Sequence, residues 1–335
     1  MAKGITFWTE GGEGIGLGHL MRSINIASMI QSFGIHVRFF VNNDRAVLTR
    51  LAATGIIYSV ANFGDSVMPS SDDDIFVIDT KKDITEVIRR LRDGGKKTVV
   101  IDNPTAVDFA DASIIPSVMV SPQSGKGAVY AGSRYIIIGR HFINTRSEMK
   151  KMSHVLPLKV LVTMGGADPF NLTDFVLNAL ASARNIEVNV VIGPSMKSGQ
   201  TMTEAQRSST TRIRHYTGVN DLSFLMSNSH IAFTAMGTTV YELAYMGVPP
   251  IIIGNYETDT EEIKKLAALG FCVGLGYYRD LIAADVREAV RSFTENRKHW
   301  ETLSGAGTRL TDGLGALRIA RIIADMGGFQ TEERK

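Results

Sequence analysis

The stretch Gly14-Ile15-Gly16-Leu17-Gly18-His19-Leu20-Met21-Arg22 decides how this chain folds. A short apolar run, Ile5-Thr6-Phe7-Trp8, precedes it and reads as a buried strand. After it, Leu20, Ile24, Ala27 and Ile30, with Ile26 and Met29, recur at three- and four-residue steps, the period of a helix. A glycine-rich turn therefore joins a first strand to a first helix, expected over His19–Ser32. Glycines there take positive φ and let a ligand approach the backbone. A helix N-terminus offers unpaired N–H groups and the positive end of a dipole, which suits a phosphate. His19 in that place can move a proton at neutral pH. The dinucleotide-binding pattern G-x-G-x-x-G fits only in part, because the third glycine comes one residue early. A tight turn with a capping histidine is the plainer reading. Three glycines with His19 and Arg22 exceed what such a turn requires.

Outward from this stretch, apolar strands alternate with helical patterns. Further strands are expected at Val37–Val41, Ile75–Ile78, Val99–Ile101 and Ser117–Val120, with a short run at Tyr135–Ile138. Helices are expected at Asp44–Thr54 and Ile84–Asp93, and Gly34, Gly55 and Gly94-Gly95 stop the helical segments. Continuous rather than alternating apolar strands imply a parallel sheet covered on both faces. The polar segment Asn144–Pro157 reads as a linker. A second series then opens with the strand Lys159–Thr163 and the helix Asn171–Ala183. The strand Glu187–Ile192 leads to a Ser-, Thr- and Gly-rich loop, Gly193–Ser209. The series continues through Ile213–Tyr216 (strand), Asp221–Asn228 (helix), His230–Thr234 (strand) and Thr239–Met246 (helix). Pro250–Ile253 (strand), Glu261–Leu269 (helix) and Phe271–Leu275 (strand) follow. Helical patterns at Ile282–Asn296 and Leu314–Met326 end the fold. The expectation is two α/β domains, residues 1–150 and 157–335, with the last helix a candidate to pack back on the first.

The 335 residues suit two domains of about 100–200 residues each. A net charge of +2, with acids and bases interspersed, leaves no electrostatic footprint for nucleic acid. The single cysteine, Cys272, excludes an intrachain disulfide and sits in an apolar run that reads as buried. No segment reaches the ~18–20 apolar residues of a membrane span, so no integral membrane segment is expected and a cytoplasmic protein is. Metal-ligand spacing of Cys and His is missing, as are a G-x-S-x-G elbow and a P-loop lysine, so neither metal nor cofactor is expected.

Two later motifs repeat the strand–glycine–helix arrangement. In Thr163-Met164-Gly165-Gly166-Ala167-Asp168-Pro169-Phe170-Asn171-Leu172-Thr173, Gly165 and Gly166 permit close approach of a ligand. Asp168 and Asn171 read equally as caps of the next helix or as ligand-facing residues. In Ala235-Met236-Gly237-Thr238-Thr239-Val240-Tyr241-Glu242, residues Met236 to Thr239 sit at a helix start able to hold a diphosphate. Glu242, one turn in, can accept from ribose hydroxyls, though alone it reads as a solvated glutamate. Asp79 and Asp102 close strands, where α/β sheets present ligand-facing residues. Asp102-Asn103-Pro104 also reads as a simple turn, and Asp72-Asp73-Asp74 as a solvated loop.

Together these segments resemble the GT-B superfamily of nucleotide-sugar enzymes. Gly16-Leu17-Gly18-His19-Leu20-Met21-Arg22 is similar to the G-x-G-H-x-x-R loop of the PseG and SpsG group, and more distantly to MurG. Met164 to Thr173 resembles that group's G-G-x-D-P-x-N-L-T stretch, the more specific match. Gly237 to Leu243, with Gly247-Val248-Pro249, resembles its nucleotide-binding helix, and Gly132-Ser133-Arg134-Tyr135 its G-x-x-Y segment. The resemblance implies two Rossmann-like domains facing across a cleft and cleavage of the sugar–diphosphate bond of a UDP-sugar. His19 would be the general base, with Asp79 in the catalytic set. The implied binding set is Gly16, Gly18, Arg22, Gly165, Gly166, Asp168, Asn171, Met236, Gly237, Thr238, Thr239 and Glu242. Three regions depart from the pattern: Trp8-Thr9-Glu10, Thr80-Lys81-Lys82 and Tyr256 to Thr260. They fall on the sugar-facing side and speak against the pseudaminic acid precursor as substrate. Transfer of the sugar to an acceptor hydroxyl, and a non-catalytic nucleotide-sugar-binding protein, are the alternative readings; oligomeric state is open.

Overall fold

The computed structural model describes residues 4–63, 71–119, 126–148, 152–193, 196 and 210–331. The elements run β1 (Ile5–Thr9), α1 (Gly18–Ser32), β2 (Val37–Val41), α2 (Arg45–Ala52), β3 (Ile57–Val60), β4 (Ile75–Asp79), α3 (Thr85–Asp93), β5 (Lys97–Ile101), β6 (Ala112–Ile115) and β7 (Ala128–Ala131). Then come α4 (Arg140–Glu148), β8 (Leu158–Thr163), α5 (Leu172–Leu180), β9 (Ile186–Val191), β10 (Arg212–Tyr216), α6 (Ser223–Ser227) and β11 (Ile231–Ala235). The chain ends with α7 (Thr238–Tyr245), β12 (Pro250–Gly254), α8 (Asp259–Ala268), β13 (Val273–Tyr277), α9 (Ala283–Glu295), α10 (Arg297–Leu310) and α11 (Gly315–Met326). They form two compact units: Met1–Gly139 with Gly313–Lys335, and Arg140–Asp312. None of the described helices is long and apolar enough to cross a membrane.

The first unit holds a parallel sheet in the order β3-β2-β1-β4-β5-β6-β7. Every residue of β1 and β4 is buried, as strands covered on both faces must be. Ile5, Phe7, Ile75 and Val77 pack on one face with α1 and with Ile319, Ala320 and Ile323 of α11. Trp8, Phe76 and Ile78 fill the other face with Ile84, Ile88 and Leu91. Phe7 stacks on Phe39 at 5.0 Å between ring centroids. The last helix thus belongs to the first unit: a Cβ on Gly315 would lie 2.0 Å from the Ile136 carbonyl oxygen, so only glycine fits at its start.

The chain winds outward from β1 to β3, then returns to β4 on the other flank. This switch of direction leaves a crevice at the carboxyl ends of β1 and β4, where open α/β sheets bind ligands. Thr9 pairs with Asp79 at that edge. The second unit repeats the plan with β10-β9-β8-β11-β12-β13, all parallel. Its switch lies between β8 and β11, where Thr163 pairs with Thr234.

Several expectations need correction. The strand expected at Ser117–Val120 lies instead at Ala112–Ile115, ended by Pro116, which has no N–H to donate; Val120 is outside the described residues. The run Tyr135–Ile138 is not a strand: β7 precedes it, and Gly132, at φ 109°, turns the chain into a short 3-10 helix. The first five residues of the expected linker, Asn144 to Glu148, belong to α4, held in the second unit by Arg146, whose guanidinium stands 4.2 Å from the Tyr245 ring centroid. Helix α10 is obscured in the sequence by Gly305 and Gly307. A Cβ on Gly307 would meet the Ala244 carbonyl oxygen at 2.9 Å, so the glycine permits close packing on α7. Strand β13 starts two residues later than expected, and a bulge shifts its register against β12. The loop expected at Gly193–Ser209 is outside the described residues except for Gly193 and Met196.

His230, 1% exposed, ties the second unit together. Its Nδ1 accepts from the Lys159 N–H at 2.8 Å and its Nε2 donates to the Ser153 carbonyl at 2.9 Å, which requires the neutral ring. Burial pushes its pKa down, and nearby His154 and Lys159 act the same way, against the Ser153 hydrogen bond. The unfolded chain therefore takes this proton first, and stability falls as pH drops below about 6.5. Urea unfolding at pH 7.5 and 5.5 should show a larger loss for wild type than for His230→Asn; equal losses would contradict it.

Candidate active site

His19, Arg22 and Ser23 project from the first turns of α1 onto Asp79, the last residue of β4. Asp79 is fully buried and the His19 side chain is 14% exposed. His19 Nδ1 lies 2.6 Å from Asp79 Oδ1, and Arg22 donates through Nε to Oδ2 and through Nη2 to Oδ1, both at 2.6 Å. The Ser23 hydroxyl donates to Oδ2 at 3.3 Å, and the Thr9 hydroxyl to the Asp79 carbonyl at 3.1 Å. Burial pushes the Asp79 carboxyl up. The charge of Arg22, and hydrogen bonds from Arg22 and His19, outweigh it and hold the carboxyl below its usual range. Burial likewise opposes the Arg22 charge, but Asp79 and Asp102 more than compensate and raise its pKa.

This arrangement settles the tautomer. Ionised Asp79 only accepts, and Arg22 only donates. Nδ1 must therefore carry the proton that goes to Asp79, and Arg22 Nη2, 3.1 Å from Nδ1, is a neighbour rather than its donor. In the neutral ring this leaves the lone pair on Nε2, pointing away from the carboxylate partner.

The glycine loop in front of α1 is braced by residues that sequence reasoning missed. Asn42 accepts from the Gly11 N–H at 3.0 Å and donates to its carbonyl at 2.8 Å. Asp44 caps α2 and also accepts from the Glu13 N–H at 3.2 Å. Gly16 donates its N–H to the Gly12 carbonyl at 2.8 Å, so it closes the loop instead of presenting that N–H to a ligand. Glu10, 5% exposed, accepts from the Thr80 hydroxyl, and from Lys82 Nζ at 2.6 Å. Neither α1 nor α7 has an acidic residue in its first turn, so neither positive end is neutralised by its own helix.

In the second unit the loops after β8 and β11 meet at the sheet's switch point. Gly165, at φ 83°, and Gly237, at φ 155°, adopt conformations that favour glycine. Both are exposed, and Thr238 and Thr239 are half-buried at the start of α7. A Cβ on Gly193 would fall 2.4 Å from the Gly166 carbonyl oxygen, so the end of β9 packs directly on this loop. Asp168 resolves as a cap: Oδ1 accepts from the Leu172 N–H at 2.8 Å and Oδ2 from the Thr173 N–H at 2.9 Å. Its carboxylate occupies the positive end of α5, while the ends of α1 and α7 carry no such cap. Asp168 and Asn171 both hold positive φ, 41° and 54°, which shapes the turn into α5.

No family model matches the chain. It is 24% identical over 274 residues to the uncharacterized protein MJ1062 of Methanocaldococcus jannaschii, covering 77% of this chain and 57% of that protein's length. It is 23% identical over 340 residues to the spore coat polysaccharide biosynthesis protein SpsG of Bacillus subtilis, covering 96% of this chain and 98% of SpsG. The crystal structure of Acinetobacter baumannii MurG superposes with a TM-score of 0.69 at 14% identity, covering 96% of this chain and all of that one, 100%. The chain is similar in sequence to SpsG and shares the two-unit α/β fold of MurG. A Staphylococcus aureus MnaA–UDP structure shares the fold at a TM-score of 0.63 and 11% identity, covering 99% of each chain.

The structure brings the expected residues into two sets. His19, Arg22 and Asp79 are in direct contact in the first unit, at the end of the loop holding Gly16 and Gly18. Gly165, Gly166, Met236, Gly237, Thr238 and Thr239 border the switch point of the second. Glu242, half-buried on α7, belongs to the second set. Burial and the negative charge of Asp221 push its carboxyl up to about 7.

Proposed function

We propose that the chain is an enzyme that cleaves the sugar–diphosphate bond of a UDP-sugar, in surface-polysaccharide or nonulosonic-acid type biosynthesis. The observation that carries this reading is the His19–Asp79–Arg22 cluster, with Nε2 of His19 left as the basic nitrogen. The likeness to SpsG, named for polysaccharide biosynthesis, supports the pathway class, and the UDP bound to MnaA supports the nucleotide. Water gives its proton to His19 Nε2 as its oxygen bonds to the anomeric carbon. The bond from that carbon to the diphosphate oxygen breaks, and UDP leaves with the electron pair. Asp79 stabilises the imidazolium that forms. N–H groups at the start of α7 and at Gly165-Gly166 are donors for the departing diphosphate, and Glu242 accepts from the ribose.

A transferase reading uses the same base on an acceptor hydroxyl, and the GT-B fold supports it equally. The two are separated by measuring UDP release with and without added acceptor. Release that needs no acceptor supports hydrolysis; release only with acceptor overturns it. Calorimetry with UDP tests binding itself, and no binding would overturn both versions.

The Glu242 carboxyl provides a further test. Its ionised form accepts from ribose hydroxyls, so UDP affinity should rise as pH climbs through about 7. Glu242→Gln should bind UDP more weakly at pH 8 and lose most of the wild-type increase between pH 6 and 8. Titration of UDP itself affects both proteins alike and cancels in the comparison. An unchanged pH dependence in the variant would remove Glu242 from the ribose site.

A further inference from the structure

Asp102, read from sequence as a turn residue, is built into the His19 cluster. It follows β5 and holds φ at 52°, the left-handed region that Asp and Asn enter more readily than other non-glycine residues. Its N–H donates to the Ile114 carbonyl at 2.8 Å. Its Oδ2 accepts from Arg22 Nη1 at 3.1 Å and from Lys81 Nζ at 2.8 Å. Arg22 thus spends its Nε–Nη2 edge on Asp79 and its remaining nitrogen on Asp102. The next residue braces the same region. Asn103 is 2% exposed, and its Nδ2 donates to the carbonyls of Thr80 and Lys82, each at 2.8 Å. The loop after β5 therefore holds the loop after β4, which begins at Thr80, next to Asp79.

We infer that Asp102 is a positioning residue of the His19 cluster: by pinning the free nitrogen of Arg22, it fixes the carboxylate to which His19 donates and balances the charge around the imidazole. The inference rests on the reading of His19 as the base. Among the described residues, Asp79 from β4 and Arg22 from α1 touch the ring, Asp102 after β5 joins it through Arg22, Lys81 after β4 pairs with Asp102, and Glu10 after β1 pairs with Lys82. Without the Asp102 charge, Arg22 and Lys81 outweigh Asp79, and the protonated imidazole is disfavoured. Without the Lys81 charge the imbalance reverses.

Nitrogen-detected imidazole NMR on the full chain tests this, with the His19 signals identified by their loss in His19→Ala. Asp102→Asn keeps the size and the tolerance for left-handed backbone and removes only the charge. Its His19 titration midpoint should fall by about half a pH unit or more, and its Nδ1–H signal should exchange faster with water. Lys81→Met, at an exposed position, should move the midpoint the other way. Asp102→Gly relieves the backbone and should behave like Asp102→Asn. A wild-type midpoint and Nδ1–H signal in Asp102→Asn overturn the inference. So does a change confined to Asp102→Gly, which would mark a backbone role alone. These readouts need no turnover: if His19→Ala still released UDP at the wild-type rate, the base assignment would fail while the NMR result still decided the role of Asp102.

Discussion

His19→Ala is expected to slow UDP release from the UDP-sugar by a factor of about 10²–10⁴, the usual contribution of a positioned general base. UDP affinity should stay within about threefold, because the groups assigned to the nucleotide all belong to the second unit. The loss should therefore fall on kcat and not on KM. His19→Gln is the companion variant. It keeps a polar group that can hydrogen-bond Asp79 but offers no basic nitrogen, so it should be nearly as slow as alanine. Folding is checked by a wild-type far-UV CD spectrum and urea midpoint, because UDP binding reports on the second unit alone. Wild-type release of UDP by His19→Ala would remove the base assignment, and equal loss of UDP binding and turnover would make His19 a binding residue.

The fold was legible because the central strands are buried on both faces and carry continuous apolar runs. Edge strand β3 was not, since Ile57 and Val60 are exposed and the segment has no buried face to announce it. Pro116 misled the reading of β6, since the apolar run beyond it looked as strand-like as the one before. In the candidate site, His19, Arg22 and Asp79 were visible because each sits at a strand end or helix start. The residues that hold them were not. Asn42, Asp44 and Glu10 are ordinary polar residues in sequence, and each acts through a contact more than thirty residues away or across the sheet. Asp102 looked like a turn because Asn-Pro follows it. Its function shows only when φ and the bond to Arg22 are known. Asp168 shows the converse: its motif was specific, but the carboxylate is consumed by the helix it caps.

Arg22→Met is expected to destabilise the chain by about 3–5 kcal/mol at pH 7, the range for removing one partner of a buried ion pair. Methionine matches the length of the buried stem, so the loss reports the charge and the hydrogen bonds more than a cavity. What remains is Asp79, fully buried, with His19 and the Ser23 hydroxyl as the donors to its carboxylate among the described side chains. The pH dependence separates this account from a packing defect. In wild type the Asp79 carboxyl is held below its usual range, so its contribution is present above the unfolded value and is lost as pH falls through the folded one. In Arg22→Met, burial acts without that opposition and the carboxyl is pushed up. The unfolded chain then releases this proton more readily, and the variant loses stability as pH rises above about 4. The gap between the two proteins should be widest near neutrality and should narrow towards pH 4, where the carboxyl of the variant is protonated. Arg22→Lys should fall between them, because an ammonium restores the charge but not the two-point contact of the guanidinium edge. Urea midpoints across pH 4–7.5 measure all three. A gap independent of pH would mean that Arg22 stabilises the unit by packing, and that Asp79 does not depend on it for its charge.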